Sequence, residues 1–392
     1  MKKKVLVLPS WYPSEDSPVR GIFIQDQVQE MVKKYDVSVL YPRWVGHREI
    51  LKEKGRIGPR SQLEQHGGLA VYRERVFVPV TRRSRLAYWN YYRAARRGFE
   101  KLLKAWGKPD MIHAHVVLPA GLAAVKLGKR FSIPVVLTEH TGPFSIHLRT
   151  RYHRNVVRAI LSRVSRIIAV SPELVKQMHA FQNGLKIDIV GNLIRTDFFK
   201  PLRNEKEHPP SITRFLSIAL LNPQKGLNYL LEACDLLMKR EVSLFELVVG
   251  GDGPERSKLE GLVESLSLTN RCAFLGLLSR SQVRDWLQRC DVFVLPSLYE
   301  TFGVVLGEAM ACGKPVIATY CGGPEFIVTP ETGILVNVAD ACGLANAMEK
   351  FISRQVKYEP EVIRQRIRDR FGENTFLNNI SAIYEQVWRE QV

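Results

Sequence analysis

The stretch that decides the fold is Ser297-Leu-Tyr-Glu300-Thr-Phe-Gly303-Val-Val-Leu-Gly-Glu308-Ala-Met-Ala-Cys-Gly313-Lys-Pro-Val-Ile-Ala318, in which two carboxylates lie eight residues apart. On one continuous helix, eight steps of about 100° would leave these side chains on different faces. We therefore predict Glu300 in a loop after the apolar run 292–296, and Glu308 on a following helix that ends at Gly313. A new apolar strand then opens at residue 314. A strand, a loop with a carboxylate and a helix N-terminus are together typical of a ligand crevice at the carboxyl edge of a parallel sheet.

The length and composition of the chain limit the class of protein. Its 392 residues favour two domains of about 190 residues, and contents of 45% hydrophobic and 24% charged residues are typical of a globular protein. No segment approaches the roughly 20 apolar residues of a membrane span. The basic start, Met1-Lys-Lys-Lys, precedes only four apolar residues, which is too short a run for a secretory signal and favours a first β-strand. We therefore expect a cytoplasmic protein.

The six cysteines all lie in the second half of the chain and form no Cys-x-x-Cys pair. We predict that they are small buried hydrophobic residues in a reducing compartment, and not a disulfide framework or a zinc site. They are Cys234, Cys272, Cys290, Cys312, Cys321 and Cys342.

The net charge of +18 is concentrated in the segments 43–104 and 126–166. Such a field attracts nucleic acid, an anionic membrane or phosphate-bearing substrates, although a plain solvated surface explains each cluster equally well. Within 86–106 an apolar stripe and a cationic face fit either a helix lying on an anionic membrane or an ordinary helix with a cationic outer face. The stripe contains Trp89, Tyr92, Phe99, Leu102, Leu103 and Trp106, and the cationic face contains Arg93, Arg97, Lys101 and Lys104.

Strand-like apolar runs alternate with helical patterns along the whole chain, which predicts an α/β protein with parallel sheets. The polar segment 196–214 is typical of a linker, so we expect two sheet domains, 1–198 and 199–373, that face each other across a cleft. Strands are predicted at 4–9, 36–41, 69–73, 111–114, 134–138, 166–170, 214–219, 245–250, 272–275 and 291–295. Helices are predicted at 23–33, 86–106, 120–131, 172–181, 226–239, 254–265, 281–289 and 374–391.

An ordered set of motifs extends over nearly the whole chain. Glu300-x7-Glu308 is followed by Ala309-Met-Ala-Cys-Gly-Lys-Pro315-Val-Ile-Ala318 and by Gly322-Gly323-x-Glu325. Earlier motifs are Lys4-Val-Leu-Val-Leu-Pro-Ser-Trp11-Tyr-Pro13 with Pro18-Val-Arg-Gly21-Ile-Phe, Asp188-Ile-Val-Gly-Asn192, Lys225-Gly226 and Val248-Val-Gly-Gly-Asp-Gly253. This set resembles the retaining glycosyltransferases of family 4. The resemblance implies the GT-B fold, with two Rossmann-like domains and a final helix, 374–392, that packs back on the first domain.

The resemblance implies roles for residues of the second half. Glu300 would contact the donor sugar as a catalytic residue, and Glu308 would accept hydrogen bonds from the ribose of a UDP- or GDP-sugar. A buried carboxylate without a partner is costly, which favours a ligand at Glu308. Lys225 would place a positive charge on the departing diphosphate. Backbone amides at the start of the helix would bind sugar hydroxyls and phosphate, and they belong to Phe302, Gly303, Val304 and Val305.

The first half contributes further candidates. Gly21 ends a loop before a helix, where glycine lets the backbone approach phosphate closely. His140 follows a buried strand, and the resemblance implies that it reaches the donor sugar near the reacting carbon, with a purely structural histidine as the alternative. Candidates for the acceptor side are His113 and His115, at the end of the previous strand, and Arg20.

One position departs from the family pattern. Relatives commonly have Gly-Arg where this chain has Ala219-Leu220, and that arginine binds the diphosphate in them. Either Lys225 acts without a second cation, or the missing contact is supplied by another residue. The candidates for that residue are Asn222, Gln224 and an arginine of the first half such as Arg20. No Asp-x-Asp pair, which metal-dependent glycosyltransferases use to hold an ion, occurs in the chain. We therefore expect a metal-independent enzyme that needs no cofactor.

The resemblance and the charge together predict a retaining glycosyltransferase. It would move a sugar from a UDP- or GDP-sugar to a glycan acceptor, lipid-linked, during the synthesis of a cell-surface polysaccharide, in the cytoplasm or at the inner face of the membrane. One alternative is a sugar-nucleotide epimerase or hydrolase on the same fold. Another is a non-catalytic basic protein that binds a membrane or nucleic acid, although we expect no nucleic-acid binding at physiological salt.

Overall fold

The computed structural model describes residues 2–14, 17–45, 61–66, 69–77, 83–202 and 212–391. The chain forms two compact units, which are described separately. Unit 1 contains residues 1–170, 174–190 and 377–392, and unit 2 contains residues 171–173 and 191–376. The sequence prediction divided the chain after residue 198 and before residue 374, and the cleft expected between the domains stays a prediction.

Unit 1 is built on a mostly parallel sheet. Its strands are β1 (Lys4–Pro9), β2 (Asp36–Val45), β3 (Ser61–His66), β4 (Leu69–Phe77), β5 (Met111–His115), β6 (Val135–Glu139), β7 (Arg166–Ala169) and β8 (Ile187–Ile189). Within the described residues they form one sheet in the order β3-β4-β2-β1-β5-β6-β7-β8. All neighbours are parallel except β3 and β4, which are antiparallel. The central strands β1, β5 and β6 are almost entirely buried, which explains their continuous apolar runs in the sequence.

The helices of unit 1 are α1 (Ile22–Met31), α2 (Arg85–Trp106), α3 (Leu122–Phe131), α4 (Arg151–Leu161) and α5 (Pro172–Phe181). Two of them begin with a hydroxyl cap: the Ala87 amide donates to Ser84 Oγ at 3.1 Å, and the His153 amide donates to Thr150 Oγ1 at 3.2 Å. Such caps satisfy first-turn N–H groups that have no partner inside the helix.

Three elements of unit 1 were missed by the sequence prediction. Among the described residues, the strands β3 and β8 lie at the two edges of the sheet, where one side of the strand has no neighbour and a long apolar run is not required. In addition, β8 has only three residues. The helix α4 buries Val157, Ile160 and Leu161 with His153 on one face, so its helical periodicity was present in the sequence and the prediction overlooked it.

The last helix, α13 (Glu373–Arg389), contributes to the core of unit 1 from residue 377 onward. Tyr384 is fully buried, and its hydroxyl lies 2.6 Å from Nδ1 of His113. The Tyr35 hydroxyl donates to Ser381 Oγ at 2.8 Å. These buried polar contacts join residues distant in the sequence, so the end of the chain completes the fold of unit 1.

Unit 2 contains a second parallel sheet. Its strands are β9 (Thr213–Ile218), β10 (Phe245–Gly250), β11 (Cys272–Gly276), β12 (Val292–Leu295), β13 (Val316–Thr319) and β14 (Gly333–Val336), in the order β11-β10-β9-β12-β13-β14. Its helices are α6 (Leu227–Lys239), α7 (Arg256–Ser265), α8 (Arg280–Arg289), α9 (Val304–Ala311), α10 (Pro324–Ile327), α11 (Ala341–Ile352) and α12 (Pro360–Phe371). All the strand pairs are parallel. The predicted α/β class is confirmed, and the predicted elements of this half agree with the structure within one or two residues.

The faces predicted for α2 are partly wrong. Phe99 and Leu102 are buried as expected, but Trp89 is exposed, with the Arg93 guanidinium 4.4 Å from its ring centroid. The buried face instead includes residues that the apolar stripe did not contain, namely Ala87, Tyr88, Tyr91, Ala94, Ala95 and Gly98. This face packs on β2, β4 and α3, so the helix as a whole is part of the core of unit 1 and does not lie on a membrane with its apolar face.

Part of the cationic face of α2 also turns inward. Glu74, on β4, is buried, and Lys101 Nζ lies 3.3 Å from its Oε1 while Arg97 Nη2 lies 3.7 Å from its Oε2. Burying a carboxylate requires compensating charge or hydrogen bonds. Arg97, whose side chain is 28% exposed, therefore serves the fold, whereas Lys101 pairs with Glu74 from the surface with its side chain 55% exposed.

All six cysteines are free thiols. Four are buried and Cys272 is half-buried, as predicted, whereas Cys342 is exposed, which corrects the expectation for that residue. In the described parts of the chain we find no helix with the length and apolar character needed to cross a membrane.

Phe99→Ala and Trp89→Ala test the assignment of the α2 faces. Phe99 is fully buried, so its truncation should lower the free energy of unfolding of unit 1 by about 3–5 kcal/mol. Trp89 is exposed, so its truncation should change that energy by no more than about 1 kcal/mol. Urea unfolding followed by circular dichroism measures both. Equal losses for the two variants would contradict the assignment.

Candidate active site

The loop between β12 and α9 places the two carboxylates as predicted. Glu300 lies in the loop and Glu308 lies on α9, whose N-terminal cap is Gly303 with φ 90°. Glu300 Oε1 accepts a hydrogen bond from Ser297 Oγ at 2.8 Å and one from Lys225 Nζ at 2.5 Å. The structure therefore brings together two predicted catalytic residues, one of each charge, at the carboxyl end of β12.

Lys225 reaches Glu300 because two loops approach each other closely. The strands β9 and β12 are parallel neighbours, so their carboxyl ends meet at one edge of the sheet. Gly226 has φ 62°, and a Cβ atom there would lie 2.2 Å from the carbonyl oxygen of Pro296. The Leu298 amide also donates to the carbonyl of Gln224 at 2.8 Å. Only glycine permits this approach, which fixes the backbone of Lys225 against the loop of Glu300.

The ion pair of Lys225 and Glu300 is neither fully buried nor fully solvated. The side chains are 22% and 13% exposed. Opposite charges at this depth attract each other more strongly than they would in bulk water, and the exposed fraction remains open to a ligand. An anion that binds Lys225 would compete with Glu300 for its ammonium group, and the freed carboxylate oxygen would accept a hydroxyl of that ligand.

Arg280 is a charged neighbour of Glu308 that the sequence did not reveal. Its Nη2 lies 3.9 Å from Glu308 Oε1, and its guanidinium lies 5.3 Å from the ring centroid of Phe199. Glu308 is buried, but it is not unpaired, so its burial alone does not favour a ligand there. The role of Glu308 toward a ribose stays a prediction.

The amides predicted to bind the donor lie at the start of α9. The first N–H groups of a helix have no partner inside it, and they create a positive field that favours an anion. Val304 and Val305 are half-buried and belong to this first turn. Phe302 contributes only backbone here, because its side chain is 2% exposed and packs on Phe326 and Phe371.

The position of the missing arginine supplies no charge. Leu220 is 60% exposed, and its neighbour Ala219 donates its amide to the carbonyl of Gly250 at 3.0 Å. Asn222 has a buried Oδ1 without a hydrogen-bond partner among the described residues. The prediction that one of these residues replaces the arginine is not tested by the geometry. Lys225 is a cation that the geometry fixes at this edge, through its contact with Glu300.

Three histidines form a cluster in unit 1. His113 and His115 lie at the end of β5, and His140 directly follows the parallel neighbour β6. Nδ1 of His115 lies 2.9 Å from Nε2 of His140, and Nε2 of His113 lies 2.7 Å from Thr138 Oγ1. Burial lowers the pKa of His113 to about 3 and lowers the pKa of His115 well below its ordinary value. Both rings are therefore neutral at physiological pH.

Glu139 organises the backbone around this cluster, and the sequence prediction did not single it out. It is fully buried, and its oxygens accept the amides of Val117 at 2.8 Å, His140 at 2.9 Å and Thr141 at 2.7 Å. Burial raises its pKa, but His147, 3.7 Å away, and these amides lower it more, so the net pKa of Glu139 lies below the ordinary value. The sequence did contain a signal for this residue, because Glu139 directly precedes the candidate His140.

The glycine loop of unit 1 lies next to His140. Gly21 has φ 77°, and a Cβ atom there would lie 2.7 Å from the carbonyl oxygen of Trp11, so the turn requires glycine. The helix α1 begins at the next residue, and the ring centroid of Phe23 lies 5.0 Å from that of His140. Arg20 is exposed at the same turn. The structure thus brings together Gly21 and the histidines, all in one unit.

Two parallel α/β units, each with candidate residues where its strands end, define the GT-B class of sugar-transferring enzymes. Residues 21–198 match the model of glycosyltransferase family 4, and residues 198–375 match the model of glycosyl transferases group 1. The chain belongs to glycosyltransferase family 4, and the protein is a glycosyltransferase.

Individual comparisons agree with this assignment. The chain is 29% identical over 376 residues to TuaC of Bacillus subtilis, a putative teichuronic acid biosynthesis glycosyltransferase. This match covers 92% of this chain and 91% of that protein. The fold matches a sucrose-phosphate synthase from Thermosynechococcus elongatus with TM-score 0.81, 21% identity and full coverage of both chains. It also matches HepE of Anabaena in complex with UDP and glucose, with TM-score 0.71, 19% identity and coverage of 98% and 100%.

His113→Asn tests the neutral state of the histidine cluster. With a folded-state pKa of about 3, His113 binds fewer protons than in the unfolded chain below about pH 6.5, so its contribution makes the protein less stable as pH falls. The difference in unfolding free energy between wild type and variant should shrink, or reverse, by about 1 kcal/mol from pH 6 to pH 5. Between pH 7 and pH 8 that difference should stay constant. A difference that does not change below pH 6 would contradict a buried neutral ring.

Proposed function

We propose that the enzyme transfers a sugar from a UDP- or GDP-sugar, with retention of anomeric configuration, to a glycan acceptor on a lipid carrier during synthesis of a cell-surface polysaccharide. The observation that supports this most is the Lys225–Glu300 pair next to the first turn of α9. Two similar proteins support it further, since TuaC is named as a putative teichuronic acid biosynthesis glycosyltransferase and HepE was crystallised with UDP and glucose. The cytoplasm, where nucleotide sugars are made, is the proposed location.

In the proposed reaction, negative charge grows on the diphosphate oxygen as the bond to the sugar breaks. Lys225 would exchange Glu300 for this oxygen and stabilise it, and the amides of Val304 and Val305 would add preorganised N–H dipoles. Glu300, freed on one oxygen, would accept a sugar hydroxyl and hold the ring in place. Glu308, which lies beside Arg280, would accept hydrogen bonds from the ribose hydroxyls. Protein groups would then stabilise the negative charge on the diphosphate, and we propose that neither a metal ion nor another cofactor is needed.

Retention would follow if the acceptor hydroxyl enters on the face that the diphosphate leaves. The departing phosphate oxygen then takes the proton of the acceptor, so no covalent intermediate with the enzyme is required. Water must be excluded during this step, because it would otherwise take the place of the acceptor hydroxyl.

Lys225→Met and Glu300→Gln test this reaction. We expect each variant to lower kcat by about 100-fold or more, because the charge that develops in the transition state loses its partner or the sugar loses its orientation. The matched control is Lys239→Met, which should keep wild-type activity because the Lys239 side chain is 69% exposed and pairs only with Asp235 among the described residues. Activity is measured with a panel of UDP- and GDP-sugars, after thermal shifts identify those that bind.

Product analysis decides between the proposal and its competitors. The linkage formed should have the anomeric configuration of the donor by NMR, and EDTA should leave the rate unchanged. Free sugar or an epimerised nucleotide sugar in the presence of acceptor would contradict the transferase reaction. Full activity of Lys225→Met would contradict the proposed site.

We further propose that unit 1 associates with an anionic membrane surface, where a lipid carrier would lie. The support is a patch at the start of α2, in which Leu86 and Trp89 are exposed one turn apart and Arg93 covers the Trp89 ring. Apolar side chains that enter the interface, with cations beside them, are typical of peripheral attachment.

Leu86→Ser combined with Trp89→Ser tests the membrane surface. The double variant should lose most of its sedimentation with phosphatidylglycerol vesicles while its activity on a water-soluble acceptor stays unchanged. Val362→Ser, which alters an exposed residue of α12 in unit 2, is the control and should bind as wild type does. Binding of wild type should also weaken with added salt. Equal vesicle binding by wild type and the double variant would contradict this surface.

A further inference from the structure

Two adjoining hollows lie at the amino-terminal edge of the sheet of unit 1. The larger, of about 710 Å³, lies where β6 begins, and the smaller, of about 540 Å³, lies along the last turns of α4. Arg163 lines both of them, so we describe them together as one groove. Its charged and hydroxyl-bearing side chains are Lys129, Arg158, Arg163, Ser132, Ser162 and Ser165, and all six are exposed.

The charge of this groove is positive only. Lys129, Arg158 and Arg163 are its cations, and no carboxylate lines either hollow in the part of the chain that the structure describes. Glu390 precedes the lining residue Gln391, but it pairs with Arg166. The positive charge of the segment 126–166, which the candidate active site does not use, is thus partly concentrated around one concave surface. Such a surface attracts anions.

A purely structural role accounts for only part of this arrangement. Lys129 lies in the last turn of α3 and Arg158 in the last turn of α4, where a cation stabilises the negative end of a helix. Arg163 lies beyond the end of α4. Helix stabilisation also does not require the three cations to line adjoining hollows.

We propose that this groove is a second binding site of the enzyme, and that its ligand is an anionic glycan chain with carboxylate or phosphate groups. The cations are distributed over two hollows, which suits charges repeated along a chain better than a single small anion. Between them, serine hydroxyls and the side-chain amides of Asn155 and Gln391 can both donate to and accept from sugar hydroxyls. The inference goes beyond the proposed function and does not depend on it.

Two of the cations are already held in place without a ligand. Nη1 of Arg163 donates to the carbonyl of Ala159 at 2.9 Å, and the guanidinium of Arg158 lies 5.1 Å from the ring centroid of Phe181. Neither contact neutralises the positive charge. A preordered guanidinium loses less conformational entropy when it binds a carboxylate or phosphate, and it can bind that group through two parallel N–H bonds.

The side chains of the groove favour a glycan over the other polyanions. Binding of single-stranded nucleic acid relies on aromatic side chains on which bases stack, and among the described residues no aromatic side chain lines either hollow. Attachment to a membrane relies on exposed large apolar side chains, whereas the apolar residues of the groove, such as Val125, Ile133 and Val135, are buried.

The groove is separate from the histidine cluster of the same unit. Val135 begins β6 in the groove, whereas Glu139 and His140 lie at the other end of that strand. Four residue steps of a strand span about 13 Å. A ligand in the groove therefore leaves the candidate catalytic residues of unit 1 uncovered.

Lys129→Gln combined with Arg163→Gln tests this site. The probe is a fluorescently labelled oligogalacturonate, and its binding is followed by fluorescence anisotropy without any nucleotide sugar. The double variant should bind the probe about tenfold or more weakly, because charge-assisted contacts to carboxylates are lost. The control, Lys239→Gln combined with Lys258→Gln, removes two charges from exposed residues of unit 2 and should stay within about twofold of wild type.

Ser165→Trp tests the groove without changing the charge of the protein. The new side chain would fill the larger hollow, so binding of the probe should again weaken about tenfold or more, while sugar transfer to a short soluble acceptor stays at the wild-type rate. No binding by wild type, or equal losses for the two double variants, would overturn the site.

The nature of the ligand is tested with competing probes. Wild type should bind oligogalacturonate more tightly than neutral dextran, single-stranded oligothymidylate or phosphatidylglycerol vesicles. If oligothymidylate or the vesicles bind more tightly, and Lys129→Gln with Arg163→Gln abolishes that binding, the assignment to a glycan is overturned. Because no donor is present in these measurements, a failure of the proposed transfer reaction would not alter their outcome.

Discussion

The backbone contact between Gly226 and Pro296 is the constraint on which the candidate donor site depends. It brings the loops after β9 and β12 closer together than any other residue at position 226 would allow, and in doing so it places Lys225 against Glu300. A lysine before a helix is ordinarily a solvated side chain. Here the sheet and one glycine convert it into a fixed cation at the carboxyl edge, next to the first turn of α9.

Both units place their chemistry where parallel strands end, but they compensate charge in different ways. In unit 2 opposite charges meet in pairs, Lys225 with Glu300 and Arg280 with Glu308, and these pairs stay partly open to solvent. In unit 1 His113 and His115 are buried and neutral, and the nearby carboxylate of Glu139 accepts backbone amides. The first arrangement suits a charged, exchangeable ligand, whereas the second is a rigid network of buried hydrogen bonds.

The sequence predicted what depends on local pattern. Buried central strands such as β12 appear as continuous apolar runs, and the helix α9 has Gly303 before it and Gly313 after it. The edge strands β3 and β8 gave no such signal. Pairings such as Arg280 with Glu308 or His113 with Tyr384 join residues far apart in the chain, and no local periodicity reports them. The faces of α2 were misassigned for the same reason, because the position of Glu74 on a neighbouring strand decides which basic side chains turn inward.

The central claim is that the donor binds at the carboxyl edge of the sheet of unit 2. Hydrogen–deuterium exchange with and without a UDP- or GDP-sugar that stabilises the protein tests it most directly. The account predicts slower exchange of the amides of residues 303–305 and of the segment 222–226, since the ligand would occupy the first turn of α9 and Lys225. Slower exchange elsewhere in unit 2, with these amides unchanged, would contradict it.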